Sequence, residues 1–143
     1  MEAPELVRRY EAAWNAHDAE GCAACFEAEG VREWRILAPP HRPGSPFPRF
    51  VGRRALAESI REFMRAVPDL AIEVSSFTQG ADGRICLEWR ATGTHEGDWG
   101  PWQARGEPID FCGVSLLSVG SEGFAEERVY WDGLLMMGEL SLL

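Results

Sequence analysis

Apolar side chains recur at helical spacing near the start of the chain. Leu6, Val7, Tyr10, Ala13 and Trp14 form one stripe with His17 at its end, and Arg8, Arg9, Glu11 and Asn15 occupy the other side. This predicts an amphipathic helix opened by Pro4, followed by a short second helix capped by Asp18 and running through Cys25 and Phe26 until Glu27–Gly30 ends it. Residues 31–37 read as a strand with mixed faces. Residues 38–50 hold five prolines, a density that excludes regular structure, and His41 stands there with no evident partner. A third helix is predicted from Gly52 to just before Pro68, burying Leu56, Ile60, Phe63, Met64 and Val67. Two strands, about 70–77 and 84–92, then form a hairpin around the turn-rich Gln79–Gly83. A long irregular connection, Thr94–Pro108, leads to a strand at Ile109–Val119, and a turn at Gly120–Gly123 leads to the last strand, Phe124–Trp131. Helices early and strands late predict one α+β domain over residues 1–143, with the helices on one face of a curved sheet.

Length and charge narrow the function. A chain of 143 residues supports a core without disulfides or metal. A net charge of −9 argues against a nucleic-acid or anionic-membrane surface, both of which need clustered positive charge. All 14 basic residues are arginine, so lysine Schiff-base chemistry is excluded. The acidic amino terminus and the absence of any apolar run near the ~20 residues of a membrane span predict a cytoplasmic protein. Cys22 and Cys25 form a single Cys-x-x-Cys, which reads as two core residues because no second pair or nearby histidine completes a metal site. No metal or cofactor is expected: a Gly-x-Ser-x-Gly elbow and a phosphate-binding glycine loop are both missing from the sequence.

Candidate chemistry concentrates at the last strand. Alternation places Phe124, Glu126, Arg128, Tyr130 and Asp132 on one side, and Ala125, Glu127, Val129 and Trp131 on the other. Asp132 stands at the strand end among apolar neighbours, which suits a general acid or base, although an Asp there also suits capping of a terminal turn. Six tryptophans favour a flat apolar or aromatic ligand, with Tyr10, Trp14, Phe63, Trp89, Trp99, Trp102, Phe111 and Met136 as candidate pocket walls. For Trp14 and Phe63, both on helical stripes, plain core packing competes with that role. Glu88 and Arg90 read as an exposed or interfacial ion pair.

Four short motifs complete the picture: Ala13-Trp14-Asn15-Ala16-His17-Asp18, Pro68-Asp69-Leu70, Gly93-Thr94-His95-Glu96-Gly97, and Glu127 through Leu140. In this order they make the chain resemble the SnoaL-like polyketide cyclase branch of the nuclear transport factor 2-like superfamily. The resemblance implies a cone-shaped, curved antiparallel sheet packed by three helices from the N-terminal half, a deep pocket and a homodimer. It also implies Asp132 as general acid or base for an intramolecular aldol closure, with His95 near it; Tyr130, beside Asp132, is the further candidate to assist. Gln103-Ala104-Arg105-Gly106 and Glu139-Leu140-Ser141 depart from the usual family sequence. Three activities follow as expectations: a cofactor-independent cyclase or isomerase acting on a small carbonyl compound, a non-catalytic ligand-binding or dimerisation domain, and an epoxide hydrolase using Asn15 and Glu88.

Overall fold

A computed structural model of the chain describes residues 2–36, 44, 46–100 and 102–132. Three helices, α1 (Ala3–Asn15), α2 (Ala19–Ala24) and α3 (Arg53–Ala66), pack against six strands. The strands are β1 (Phe26–Ile36), β2 (Arg49–Val51), β3 (Ala71–Gln79), β4 (Ile85–His95), β5 (Glu107–Val119) and β6 (Phe124–Trp131). Among the described residues no helix is long and apolar enough to cross a membrane.

Local chemistry explains the helix boundaries. Pro4 lies in the first turn of α1, where a missing N–H costs nothing. At its other end the Asp18 N–H reaches Ala13 O and the His17 N–H reaches Trp14 O, with His17 in the left-handed region at φ 56°. Asp18 then accepts the Gly21 N–H and opens α2, which ends at Ala24 because Phe26 already enters β1. The buried stripes of α1 and α3 meet one sheet face, where Phe26, Phe124, Leu56, Ile60, Ile85 and Leu117 are fully enclosed. Burying each of the aliphatic side chains contributes roughly 1.5–3 kcal/mol.

The sheet corrects one expectation. Its strand order is β2-β1-β6-β5-β4-β3, an open mixed sheet and not the cone-shaped, curved antiparallel one. Strands β1 and β6 run parallel, because Phe26 and Phe124 enter the sheet side by side, with the Phe124 N–H bonded to Cys25 O. Closure would need β3 to offer its free edge to β2, yet α1 occupies part of that edge. Asn15 exchanges two hydrogen bonds with the Ile72 backbone, at 2.7 and 2.8 Å, and Glu11 Oε2 accepts the Val74 N–H. A partly covered edge is a standard way to stop further strand pairing. Strand β2, three residues long, holds the opposite edge.

The predicted hairpin of β3 and β4 is present, and β4 runs on to His95. Within the 94–108 connection Trp99 and Trp102 exchange both backbone bonds, so this loop is itself a tight turn. Most of the Pro-rich 38–50 loop lies outside the described residues, but Arg49 and Phe50 belong to β2.

Two of the sequence motifs are joined by hydrogen bonds. Asp69 accepts both the Thr94 N–H at 2.7 Å and the Thr94 hydroxyl at 2.8 Å, tying the end of α3 to β4. Gly93 makes this approach possible, since a Cβ there would lie 2.4 Å from Val67 Cγ1. The Thr94 hydroxyl, and then its N–H, hold the Asp69 carboxyl below its ordinary value of 3.8. A depressed carboxyl stabilises the fold above its unfolded pKa and loses that contribution as pH falls through the folded value. Asp69→Ala is therefore expected to lower Tm by a few degrees at neutral pH. The gap from wild type should narrow as pH drops below 3.8, as measured by thermal melts across acid pH.

Candidate functional site

Between the helices and the sheet lies a cavity of about 70 Å³. Helix α1 contributes Val7, Tyr10, Glu11 and Trp14, and α3 contributes Phe63. The sheet supplies Arg32 and Trp34 from β1, Ile72 and Val74 from β3, and Leu87 and Trp89 from β4. Phe111 and Ser115 come from β5, Glu127, Val129 and Trp131 from β6, and Trp99 from the loop after β4. Gly113 makes room for the broadest of these rings. It is paired with Trp89 on one side and Trp131 on the other, and a Cβ there would stand 2.2 Å from the Trp89 ring. The Trp89 N–H donates to Ser115 Oγ at 3.0 Å.

The walls are aromatic, and one corner is charged. Arg32 and Glu127 are register partners across the parallel β1–β6 pair, so both side chains leave the sheet on the cavity side. Arg32 Nε donates to Glu127 Oε1 at 2.8 Å, and the Tyr10 hydroxyl donates to the same oxygen at 2.7 Å. All three residues are buried, Glu127 to 3% exposure. The Arg32 guanidinium also stands 5.3 Å from the Trp14 ring centre, a cation–π contact that eases its burial. Burial pushes the Tyr10 hydroxyl well above its ordinary value, and the negative charge of Glu127 adds to this, so Tyr10 stays a neutral donor. Burial opposes the charge on Arg32, but Tyr10 and Glu127 outweigh it and leave the guanidinium more firmly protonated than usual. Two further donors on the lining, the indole N–H groups of Trp34 and Trp131, are buried without a hydrogen-bond partner among the described residues.

The sequence-predicted residues divide. Tyr10, Trp14, Phe63, Trp89, Trp99 and Phe111 share this one cavity. Trp102 is buried behind Trp99, ring centres 4.8 Å apart, and does not line it. Met136 lies outside the described residues. Asp132, His95 and Tyr130 do not converge. Trp131 lines the cavity, so alternation carries its neighbours Tyr130 and Asp132 toward the opposite face of the sheet. There Tyr130 is half-buried near the Arg35 guanidinium, and Asp132 is exposed with its N–H on Cys112 O. His95 is buried on the helix side, directly across from Glu107, with no partner for either ring nitrogen among the described residues.

The epoxide-hydrolase pair is also apart from the cavity. Asn15 is committed to the β3 backbone, and Glu88 is exposed on β4. Arg90 pairs with Asp110 rather than with Glu88. Cys22 and Cys25 are buried free thiols whose pKa burial raises, as expected of core residues. Among the described residues no three His, Cys, Asp or Glu side chains come together.

Arg32, Trp34, Glu127 and Trp131 were missed as site residues, although a signal for Glu127 existed. It shares an alternating face with Val129 and Trp131, and a carboxylate on an apolar face needs a buried partner. Arg32→Met removes that partner and is expected to destabilise the fold by about 3–5 kcal/mol. Adding Glu127→Leu to the same chain should restore most of the loss, as read from urea midpoints of the single and double variants.

Residues 4–140 match the family model described as SnoaL-like polyketide cyclase. No curated protein matches the sequence. Among solved structures, a protein from Jannaschia Sp. CCS1 described as a SnoaL-like polyketide cyclase superposes with a TM-score of 0.80 at 16% identity, over 98% of this chain and 92% of that one. TsrD from Streptomyces laurentii gives 0.78 at 18% identity, over 100% and 99%. A protein from Catenulispora acidiphila with a ketosteroid isomerase-like fold, in complex with trimethylamine, gives 0.77 at 15% identity, over 99% and 96%. At these identities the superpositions establish the fold, and the match over nearly the whole sequence establishes the family: the chain is a member of the SnoaL-like polyketide cyclase family, of the nuclear transport factor 2-like superfamily.

Proposed function

We propose that this protein is a cofactor-independent enzyme of cyclase or isomerase type that moves a proton on a small, largely apolar carbonyl compound held in the cavity. The observation that carries this reading is the Arg32–Glu127–Tyr10 corner inside an otherwise apolar, aromatic enclosure. Both bonds to Glu127 fall on Oε1, which leaves Oε2 to take a proton from the carbon beside a bound carbonyl. Arg32 uses Nε for its bond to Glu127, and the same wall carries the N–H donors of Trp34 and Trp131 for the enolate oxygen. In a dry site such donors act far more strongly than in water. Asp132, the proton carrier implied by the family pattern, is the second candidate. A homodimer through the sheet face opposite the cavity accompanies this reading, supported by the half-buried Val114, Leu116 and Tyr130 on that face.

One observation favours a second reading, a ligand-binding domain without turnover: the carboxylate of Glu127 is already neutralised by Arg32. Proton abstraction separates the two. Wild-type protein in D₂O is expected to speed exchange of the α-hydrogens of cyclohexanone, followed by NMR. Glu127→Gln is expected to lower Tm by leaving Arg32 without its counter-charge, and in protein still folded at the assay temperature it should slow that exchange by about 100-fold or more, whereas Asp132→Asn should change it little. Binding of the ketone with no accelerated exchange in wild type would establish the binding-domain reading instead.

A further inference from the structure

Trp34 and Trp131 stand on neighbouring strands of the cavity wall, ring centres 5.8 Å apart, and each carries a buried indole N–H with no hydrogen-bond partner among the described residues. A buried donor left unpaired carries its full desolvation cost, and two at one wall are uncommon in a folded protein. The register adds direction. Trp34 follows Arg32 by two residues on the same face of β1 and Trp131 follows Glu127 by four on β6, so the indoles lie one and two pleats along from the charged corner. The cavity itself, at about 70 Å³, is roughly half the ~150 Å³ of an engineered apolar cavity that takes benzene, so a single ring enters only as the lining side chains yield, and a fused second ring does not fit. Five of the six tryptophans fill space that a multi-ring ligand would need.

Resting on the assignment of the cavity as a carbonyl-compound site, we propose that its ligand is a neutral carbonyl compound of no more than one ring. An oxygen of that ligand is received by the indole N–H of Trp131, with Trp34 as the second donor. The two tryptophans set specificity: they favour an acceptor-bearing ligand over a hydrocarbon of the same shape, and with Trp99 they exclude a fused second ring. Neutrality follows from the lining charges. Arg32 is already paired with Glu127, and Glu11 adds a further acid, so an anionic ligand meets no spare positive charge.

Three probes test this by saturation-transfer NMR on the full chain: cyclohexanone, the isosteric hydrocarbon methylenecyclohexane, and the two-ring ketone 1-tetralone. Wild type is expected to bind cyclohexanone about five- to tenfold more tightly than the hydrocarbon, the ratio that one satisfied buried hydrogen bond supports. Trp131→Phe, which keeps an aromatic ring and removes the donor, should abolish that preference without weakening hydrocarbon binding. Trp34→Phe should reduce it, and this second variant serves if the first lowers Tm severely. Unchanged ketone preference in both folded variants overturns the indole anchors while leaving the cavity assignment intact, because the N–H groups then serve only neighbouring rings. Binding of 1-tetralone as tight as that of cyclohexanone overturns the size limit. Failure of both cyclohexanone and the hydrocarbon to bind wild type overturns the cavity assignment itself, and the proposal with it.

Discussion

A carboxylate on the apolar face of an interior strand must be neutralised where it stands, and Glu127 imposes this requirement on the whole fold. Its two partners come from far away in the chain, Arg32 at 95 residues' separation and Tyr10 at 117. Meeting it fixes the parallel register of β1 against β6 and holds α1 down on both. A slip of one residue would carry Arg32 to the opposite face and leave Glu127 alone in a low-dielectric interior. Buried ion pairs of this sort contribute little net stability, because desolvation of each charge costs several kcal/mol. An apolar pair of similar volume would serve packing as well, so chemistry is the better explanation for keeping charges here.

The surroundings suit that explanation. Tyr10 is wedged edge-on among Trp14, Phe26 and Phe124, with ring centres 5.4–6.2 Å away, which locks its hydroxyl toward Glu127. Trp89 lies across the gap left by Gly113 and is pinned by Ser115. On the far edge, Asn15 and Glu11 fasten α1 to β3, so the same helix that carries Tyr10 also covers part of the open sheet's edge. Fold and site thus share one element, and disturbing α1 disturbs both.

Helical periodicity and strand alternation made much of this legible in the sequence. The stripes of α1 and α3, the hairpin of β3 and β4, and the two faces of β6 were all readable from local patterns. Non-local facts were not. The parallel pairing of β1 and β6 depends on Phe26 and Phe124 entering together, and the start of β1 was hidden in Glu27–Gly30, a stretch with weak strand propensity. The open sheet depends on side chains of α1 reaching the β3 backbone, which no alternation pattern reveals. Six of the aromatic residues expected at a pocket share one cavity, because large rings on inward faces have nowhere else to go. The charged corner went unread because a strand pattern shows that Glu127 points inward without showing that Arg32 stands opposite.

Attribution of proton handling to Glu127 rather than Asp132 is tested most directly by carboxyl ¹³C NMR of the labelled protein during titration with cyclohexanone. The Glu127 carboxyl resonance is expected to shift with ligand while that of Asp132, on the other face of the sheet, stays fixed. A ligand-dependent shift of Asp132 with Glu127 unmoved would contradict this account.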